Sequence, residues 1–247
     1  PAVDIAYIAD ELEQLAEELM VADEDSDATS PTDPRSLIGA MGELLDELRR
    51  STSPYPGDVL QPVDARAGGR DLTALGDHGI DLIAQLAALA GRLRKPQLAR
   101  RIEGLALPLA CWISRQGGEI NVLNPVVNGA AALANSLKQP PLLAQLYGLL
   151  RDICAAVSPQ VSQEMVSSDP TRPWRVFLLN QAIVATRSHQ PALMEEAFEL
   201  LTEHLPDDAP DFFREGMEQM DALAYPPQVR TVMEHYYSQW CAQRTLH

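Results

Sequence analysis

The chain has 247 residues, 46% of them apolar, which is enough to bury the core of one elongated domain or two smaller ones. Its 35 acidic side chains outnumber the 19 lysines and arginines, which argues against nucleic acid as a partner, because a phosphate backbone binds basic surfaces. No apolar run reaches the roughly 18 residues of a membrane helix and no basic-then-apolar leader opens the chain, so we expect a soluble, cytoplasmic protein with no membrane partner.

The first predicted element is an acidic helix. Residues 1–33 contain eleven acids and no base. Isoleucines and leucines recur there every three or four positions, at Ile5, Ile8, Leu12, Leu15 and Leu19. This spacing predicts an amphipathic helix whose apolar seam must lie against another apolar surface. Thr32-Asp33-Pro34 predicts the start of a second helix, so we interpret residues 1–50 as a helical-hairpin arm.

A connector is predicted next, at residues 51–70. This stretch is rich in proline and glycine and poor in apolar residues, as is typical of an extended linker between domains. A long loop packed on the surface is the alternative that the composition leaves open.

A repeat follows the connector. Residues 88–96, ALAGRLRKP, return 44 positions later as residues 132–140, ALANSLKQP, and weaker echoes end at Pro191 and Pro226. Each copy ends an apolar helical pattern with a proline that opens another helix. Recurrence at this period is typical of stacked helical hairpins. No window alternates in the two-residue rhythm of a strand, so the prediction is an all-α chain.

Four helix pairs are predicted within residues 71–247. The predicted pairs are 71–93 with 96–109, 122–137 with 142–157, 174–187 with 193–205, and 212–223 with 229–241, with Asp169, Thr171 and Asp208 at N-cap positions. Counted from the opening proline of each second helix, the apolar residues agree at three offsets that trace one helical face. They are Leu98, Leu142, Leu193 and Val229 two residues on, Ile102, Leu146, Ala197 and Met233 six on, and Leu105, Leu149, Leu200 and Tyr236 nine on. We therefore predict a stack of hairpins, an α-solenoid, as the main domain.

This pattern resembles the α-solenoid families, and the tetratricopeptide-like ones most closely. Phe198 and Pro206 have the eight-residue spacing of that family's second-helix phenylalanine and closing proline, and Ala182 is near its small-residue position. The resemblance covers residues 71–247, where the units are spaced at 44, 51 and 35 residues instead of the family's regular period of about 34. It implies a scaffold that holds other proteins or peptides.

Reactive side chains form no recognisable catalytic pattern. Cys111, Cys154 and Cys241 fall at or beside a repeat position held elsewhere by leucine, so we interpret them as small buried hydrophobes in a reducing compartment. No two histidines have the spacing of a zinc site, and no phosphate-binding or nucleophile motif appears. We predict no catalysis, no cofactor and no metal. The alternative is an all-helical enzyme or small-molecule sensor with a pocket that uses Glu203, His204 or Trp240.

Two clusters are candidates for partner binding. Five cations stand in ten residues around one predicted turn, at Arg92, Arg94, Lys95, Arg100 and Arg101. They form either a solvated helix end or a surface that recognises an acidic peptide. Aromatic residues crowd the last unit, at Tyr225, Tyr236, Tyr237 and Trp240. They form either a cap on the stack or an apolar surface for a second chain or an incoming helix.

The sequence therefore predicts a non-catalytic scaffold that binds a protein or peptide. Its predicted binding residues are the five cations together with Tyr236, Tyr237 and Trp240. We also expect residues 1–50 to dock onto the first repeat unit, because the acidic helix has an apolar seam to cover and the unit carries the cations. The connector can reach the same chain or a neighbouring one, so a homodimer with exchanged arms is a third hypothesis.

Overall fold

In a computed structural model of the chain, the described residues, 3–24, 33–52, 65–163 and 171–241, are almost entirely helical, which confirms the predicted all-α class. The helices are α1 Ile5–Glu24, α2 Pro34–Thr52, α3 Ala65–Arg92, α4 Pro96–Glu103, α5 Ala106–Arg115, α6 Asn124–Ser136, α7 Pro140–Ala156, α8 Pro159–Ser162, α9 Pro173–Arg187, α10 Pro191–His204, α11 Ala209–Ala222 and α12 Pro227–Cys241. The only β pairing within these ranges is a single parallel bridge between Ile120 and Val157. None of the described helices has both the length and the apolar character needed to cross a bilayer.

Prolines start most of the helices, as predicted from the repeat. Helices α4, α7 and α10 begin at Pro96, Pro140 and Pro191, and α12 begins at Pro227. The first helical residue has no intrahelical partner for its N–H, and the fixed φ of proline suits the helix, so proline is favoured at that position.

The predicted helix over 96–109 is wrong, because the chain forms two helices there. Helix α4 ends at Glu103 and α5 begins at Ala106. Pro108 explains the break, since it has no N–H to donate to the carbonyl of Gly104, and its ring would clash with that carbonyl in a continuous helix. Leu105 instead donates to the carbonyl of Ile102, which closes a tighter turn.

The chain divides into two compact units. The first takes Pro1–Leu133 and Arg151–Met165, and the second takes Ala134–Leu150 and Val166–His247. The division therefore falls within α6 and α7 instead of at the predicted connector.

The predicted connector is shorter than residues 51–70. Helix α2 runs to Thr52 and α3 begins at Ala65, so both helices enter that stretch, and residues 53–64 lie outside the described residues. Periodicity missed the first turns of α3 because residues 65–70 contain two glycines and no leucine or isoleucine.

In the first unit, the five helices α1 to α5 close into a ring. Helix α1 packs against α2, α2 against α3, and α3 against α4 and α5, which in turn pack against α1. The arm thus lies on helices of its own chain, and its apolar seam is covered there. This closure is a feature of helix bundles, since in a solenoid each unit contacts only its neighbours along the chain.

Gly79 lets three helices of the ring approach one another. A Cβ atom at this position of α3 would lie 3.0 Å from side-chain atoms of both Leu44 in α2 and Leu109 in α5. Real Cβ atoms rarely approach so closely in packed cores. The lack of a side chain at Gly79 therefore sets the spacing of α2, α3 and α5.

Two hairpins form most of the second unit. Helix α9 packs against α10, α11 packs against α12, and α10 also contacts α12. An aromatic core joins them, with ring centroids of Phe198 and Phe213 5.1 Å apart and those of Phe198 and Tyr236 also 5.1 Å apart. Phe198 and Ala182, two of the residues that carry the family resemblance, are both fully buried.

Of the predicted N-caps of the second unit, Asp208 does not act as a cap. Asp208 precedes α11, but its side chain makes no capping hydrogen bond. Its carboxylate instead accepts hydrogen bonds of 2.6 to 3.0 Å from Nε and Nη2 of Arg175, which ties α9 to α11. The residue before α9 is Arg172 instead of Thr171, and the side chain of Arg172 makes no capping hydrogen bond. Asp169 lies outside the described residues.

The predicted core stripe holds at only one of its three offsets. The residues six positions after the opening proline, Ile102, Leu146, Ala197 and Met233, are all buried. At the offset of two, Leu142 is 37% exposed and its neighbour Leu143 is buried. In α7 and α10 the buried face is rotated, to Leu143, Tyr147 and Leu150 and to Met194, Phe198 and Leu201. The second helices are therefore not equivalent, because a rotation of one residue moves the buried face by about 100°.

Candidate binding cleft

The candidate site lies in the first unit, along the hairpin of α1 and α2. The two helices are antiparallel, since Arg35 at the start of α2 forms an ion pair of 3.7 Å with Glu24 at the end of α1. The seam of α1 is buried, at Ile5, Ile8, Leu12, Leu15, Leu19 and Ala22. The apolar residues beside the seam are only partly covered, and Val21 is 60% exposed. Helix α1 thus has more apolar surface than its neighbours in the bundle cover.

An open cleft runs between the two helices on this side of the hairpin. Its volume is about 800 Å³, and its lining consists of Ala9, Leu12, Glu13, Ala16, Glu17, Met20, Val21, Arg35, Ile38, Gly42, Leu45, Asp46 and Arg49. The buried side chains of Leu12 and Leu45 form part of its floor. At 1.5 Å per residue, the lining residues of α1 span about 18 Å and those of α2 about 21 Å. The cleft is therefore long and apolar, and it follows the helix axes.

Gly42 lies in the wall of the cleft, and no neighbouring atom of the chain requires a glycine at this position. A Cβ atom there would meet nothing within 4 Å, and the same is true of Gly39, which does not line the cleft. Glycine in a helix interior costs about 0.5–1 kcal/mol relative to alanine. At Gly42 the absence of a side chain leaves room for the backbone of another molecule to approach.

The charges around the cleft are unevenly distributed. On the α2 side, Arg49 lies 3.3 Å from Asp46, and Arg35 pairs with Glu24, so both arginines have an acidic neighbour. On the α1 side, Glu13 and Glu17 are exposed one helical turn apart, and neither has an ion-pair or hydrogen-bond partner among the described residues. Helix α1 contains seven acids and no base. The unbalanced charge of the cleft is therefore negative and is concentrated on α1.

The five predicted cations lie elsewhere in the first unit, at the turn between α3 and α4, and all are exposed. Arg101 donates to both carboxylate oxygens of Glu18, at 2.6 and 2.8 Å, and so joins α4 to α1. Arg92, Arg94, Lys95 and Arg100 make no ion pair with a described residue. Their predicted role in binding an acidic peptide stays a prediction.

Arg94 has an unusual backbone conformation in this turn. Its φ is 59°, and the N–H of Lys95 donates to the carbonyl of Ala90 while that of Arg94 donates to Gly91. These two bonds are those of a Schellman motif, in which glycine is the usual residue at the left-handed position. His189 has the same φ after α9, so the two turns share this conformation.

The predicted aromatic cluster does not form. Tyr236 is buried between Phe198 and Phe213, so it belongs to the core, and burial raises the pKa of its phenol. Tyr225 instead packs edge-to-face on His189, with centroids 5.4 Å apart. Tyr237 and Trp240 are half-buried on α12 and make no ring contact with a described aromatic residue. Tyr236 therefore lies in the hairpin core, where the predicted stripe also places it, and its predicted role in partner binding stays a prediction.

The predicted enzyme pocket is not assembled either. His204 is exposed at the end of α10, where its ring meets the edge of Trp174 at a centroid distance of 5.6 Å. Glu203 is exposed beside it. The clefts described in this section are lined by other residues, and no group of three or more metal-ligating side chains occurs in the described part of the chain.

The cysteines are not equivalent. Cys111 is fully buried, and burial raises the pKa of its thiol to about 11. Cys154 and Cys241 are half-buried, and the thiol of Cys241 donates to the carbonyl of Pro210 at 3.2 Å. The prediction of buried hydrophobic cysteines is thus confirmed for Cys111 and only partly met by the other two.

A second, smaller cleft of about 440 Å³ lies in the second unit, among α9, α11 and α12. Two of its apolar residues are notably exposed, Ile183 at 44% and Leu223 at 52%. Its basic residue, Arg187, donates to the carbonyls of Ala134 and Leu137 at the end of α6, at 2.9 and 2.8 Å, and so serves as a helix cap. This cleft is shorter than the first and its cation is already engaged.

Sequence reasoning missed the cleft in the first unit because it assigned all the apolar residues of α1 to one covered seam. Two signals were available. Ala9, Ala16 and Met20 widen the apolar face beyond a strict seam, and Gly39 and Gly42 interrupt a helix that needs no glycine for its own packing. Both signals indicate an apolar face wider than one partner helix covers.

Compared with protein-family models, with curated proteins and with solved structures, the chain finds no match. The tetratricopeptide-like resemblance therefore stays a prediction.

Proposed function

We propose that the protein is a non-catalytic scaffold that binds a helical segment of another protein in the cleft between α1 and α2. The proposal rests on one observation: the cleft presents apolar side chains to solvent over about three helical turns. Contiguous exposed apolar surface commonly marks an interaction site. A groove of this shape suits an amphipathic helix, which anchors through side chains at positions i, i+3 or i+4, and i+7.

The predicted stack of helical hairpins belongs to the same proposal. Helices α9 to α12 form two successive hairpins with a contact between α10 and α12, as expected of adjacent repeat units. The second unit is then a further scaffold surface, and the four cations of the first unit that make no ion pair with a described residue keep their predicted role toward an acidic partner.

Peptide binding tests the proposal directly. The probe is a fluorescently labelled amphipathic helix of about 16 residues with leucines at i, i+4, i+7 and i+11, measured by anisotropy against the full chain. Met20→Ser removes an apolar group from the cleft, and Gln14→Ser introduces the same serine at an exposed position of α1 outside it. We expect Met20→Ser to weaken binding at least about fivefold, because burying a methionine contributes about 1.5–3 kcal/mol. Gln14→Ser should leave binding unchanged.

Chemical shifts locate the binding site independently of affinity. Methyl resonances of Ala9, Ala16 and Met20 should move on peptide addition, while those of Ala197 and Met194 in the core of the second unit should not. No binding at millimolar peptide, or shifts confined to the second unit, would refute the proposal.

A further inference from the structure

The unpaired charge of the cleft identifies the kind of helix that it takes. Glu13 and Glu17 lie four residues apart on α1 and line the cleft, and neither forms an ion pair with a described lysine or arginine. Residues at i and i+4 lie on one helix face, so the two carboxylates form a negative edge along the groove. The opposite edge offers no comparable excess, because Arg35 and Arg49 each have an acidic neighbour.

We infer that the occupant of the cleft is a basic amphipathic helix of three to four turns, which sets lysines or arginines against Glu13 and Glu17 and makes its closest approach at Gly42. This inference rests on the proposed function and adds the charge, length and register of the partner. Lining residues that span about 18 to 21 Å accommodate about 12 to 14 helical residues. The apolar floor supplies most of the affinity, and the acidic edge selects for charge.

The position of Gly42 sets the depth at which the partner lies. Helices pack with their axes about 8–10 Å apart, and the distance is smallest where one helix presents no side chain. Gly42 is the glycine in the cleft wall, and the space in front of it is open. The partner's apolar side chains therefore reach the floor at Leu12 and Leu45 beside this point.

A second copy of the chain fits the cleft less well than a basic helix. The formal net charge of the chain is −16, and α1 has seven acids without a base, so two copies of this hairpin repel each other. The same repulsion acts on an acidic helix. Charge complementarity therefore favours a basic helix over both a second copy of the chain and an acidic helix.

Three peptides of about 16 residues test the charge. They share one leucine face and differ only in the polar face, which carries lysine, glutamine or glutamate, and anisotropy is measured with the full chain at about 0.05 M and about 0.3 M salt. We expect the lysine peptide to bind at least about tenfold more tightly than the glutamate peptide, with a smaller difference at the higher salt. Removing both carboxylates with Glu13→Gln and Glu17→Gln should weaken lysine-peptide binding about three- to tenfold.

A matched control for this double variant exists in the second unit. Glu199 and Glu203 are also exposed and four residues apart on α10, so Glu199→Gln with Glu203→Gln makes the same change in net charge. This control should leave the affinity for the lysine peptide within about twofold. Equal binding of all three peptides would overturn the inference and leave the proposed function standing, whereas no binding of any peptide would overturn both.

Two glycine variants test the register. Gly42→Leu fills the wall of the cleft, and Gly39→Leu places the same side chain on α2 outside it. Both residues have open space, so both variants should fold, which circular dichroism checks. We expect Gly42→Leu to weaken the lysine peptide at least about tenfold and Gly39→Leu to leave it unchanged. If Gly42→Leu binds the lysine peptide as tightly as the parent chain, the partner does not make its closest approach at Gly42. If the parent chain is a dimer that Gly42→Leu dissociates, the occupant of the cleft is a second copy instead.

Discussion

At the scale of single residues, the amide of Gln181 is among the buried polar groups that have no hydrogen-bond partner among the described residues, with Trp174 Nε1 of the same helix. Gln181 is 1% exposed in α9, and neither its oxygen nor its nitrogen has a hydrogen-bond partner among the described residues. The buried hydroxyls near it are satisfied, since Thr186 donates to Ala182 and Ser188 donates to Ala185. A buried polar group without a partner costs about 1–3 kcal/mol. Gln181 therefore weakens the hairpin of α9 and α10.

Gln181→Met should stabilise the protein by about 1 kcal/mol or more, because methionine has a similar volume and no polar group to desolvate. Urea unfolding measures the change. Gln97→Met, at an exposed position of α4, is the control and should change the free energy of unfolding by less than about 0.5 kcal/mol. A loss of stability in Gln181→Met would mean that the amide is hydrogen-bonded in solution.

The thiol of Cys111 makes stability depend on pH in the alkaline range. Its pKa rises from 9.0 to about 11 in the folded chain because of burial. Below pH 9 both states keep the proton. Above pH 9 the unfolded state loses the proton first, so the free energy of unfolding falls as pH rises to about 11, by at most about 3 kcal/mol.

Cys111→Ala should remove that part of the slope in urea unfolding measured between pH 8.5 and 11, while Cys154→Ala should retain it. Burial also raises the pKa of Tyr7, Tyr225 and Tyr236, so a smaller slope of the same sign remains in both variants. Identical slopes in Cys111→Ala and the parent chain would exclude the thiol as the cause.

At the scale of helices, α7 separates what a sequence pattern can predict from what packing decides. Leu142 and Leu146 are both leucines of the predicted stripe, but Leu146 is 2% exposed and Leu142 is 37% exposed. The two leucines lie four positions apart on the same helix face, so a small rotation of the helix about its axis decides which of them is covered. The periodicity predicts that α7 is amphipathic, and the neighbouring helices set which edge of the stripe is buried.

Leu146→Ala should lower the free energy of unfolding by about 2–5 kcal/mol, as expected for a buried leucine. Leu142→Ala, the same substitution one turn earlier, should lower it by about 0.5 kcal/mol or less. Chemical denaturation measures the change in the free energy of unfolding for both variants. Similar losses would mean that Leu142 is covered in solution and that the original stripe is right.

Helix starts were predictable because the signal is local. A proline at the first helical position acts through its own ring and its own missing N–H, so Pro96, Pro140 and Pro191 mark their helices without reference to the rest of the fold. Pro108 acts in the same way, but its position in an apolar run hid the break before α5. The pairing of α1 with α4 and α5 joins residues about 80 positions apart. The apolar seam and the cations predicted that the arm docks on the first unit, but no local pattern gives the helices that it contacts or the pairing of Arg101 with Glu18.

At the scale of the whole molecule, apolar contact holds the arm to the first unit and the ion pair contributes little. Leu15 is 1% exposed in the seam of α1, whereas the side chains of Glu18 and Arg101 are each 49% exposed. An exposed ion pair contributes about 0–1 kcal/mol and is screened by salt. The position of α1 should therefore be insensitive to ionic strength.

Leu15→Ala should cost about 2–5 kcal/mol and accelerate hydrogen exchange along α1. Glu18→Gln should cost less than about 1 kcal/mol and leave that exchange almost unchanged at high salt. Exchange mass spectrometry at two salt concentrations measures both variants. Greater deprotection by Glu18→Gln than by Leu15→Ala would mean that charge holds the arm.

The candidate cleft was less predictable than the fold. The acidic face of α1 and the need to cover its seam follow from the sequence, but the cleft exists because the bundle covers one part of the apolar face and leaves Met20 and Val21 partly open. That remainder depends on where α2 lies. Sequence patterns predict the width of an apolar face, and only the packed structure shows how much of that face stays exposed to solvent.

The bridge between Ile120 and Val157 carries a consequence for how the chain is made. The N–H of Ile120 donates to the carbonyl of Ala156, and the carbonyl of Ile120 accepts from the N–H of Ser158, so the loop before α6 is held by residues at and just after the end of α7. During synthesis the ribosome releases residues 1–133 first, yet the first unit also needs residues 151–163, which emerge only after a segment that belongs to the second. The first unit therefore cannot complete its fold until residues 151–163 have been synthesised. A single cut or truncation after Met165 would keep all of that unit, but only together with Ala134–Leu150 of the second.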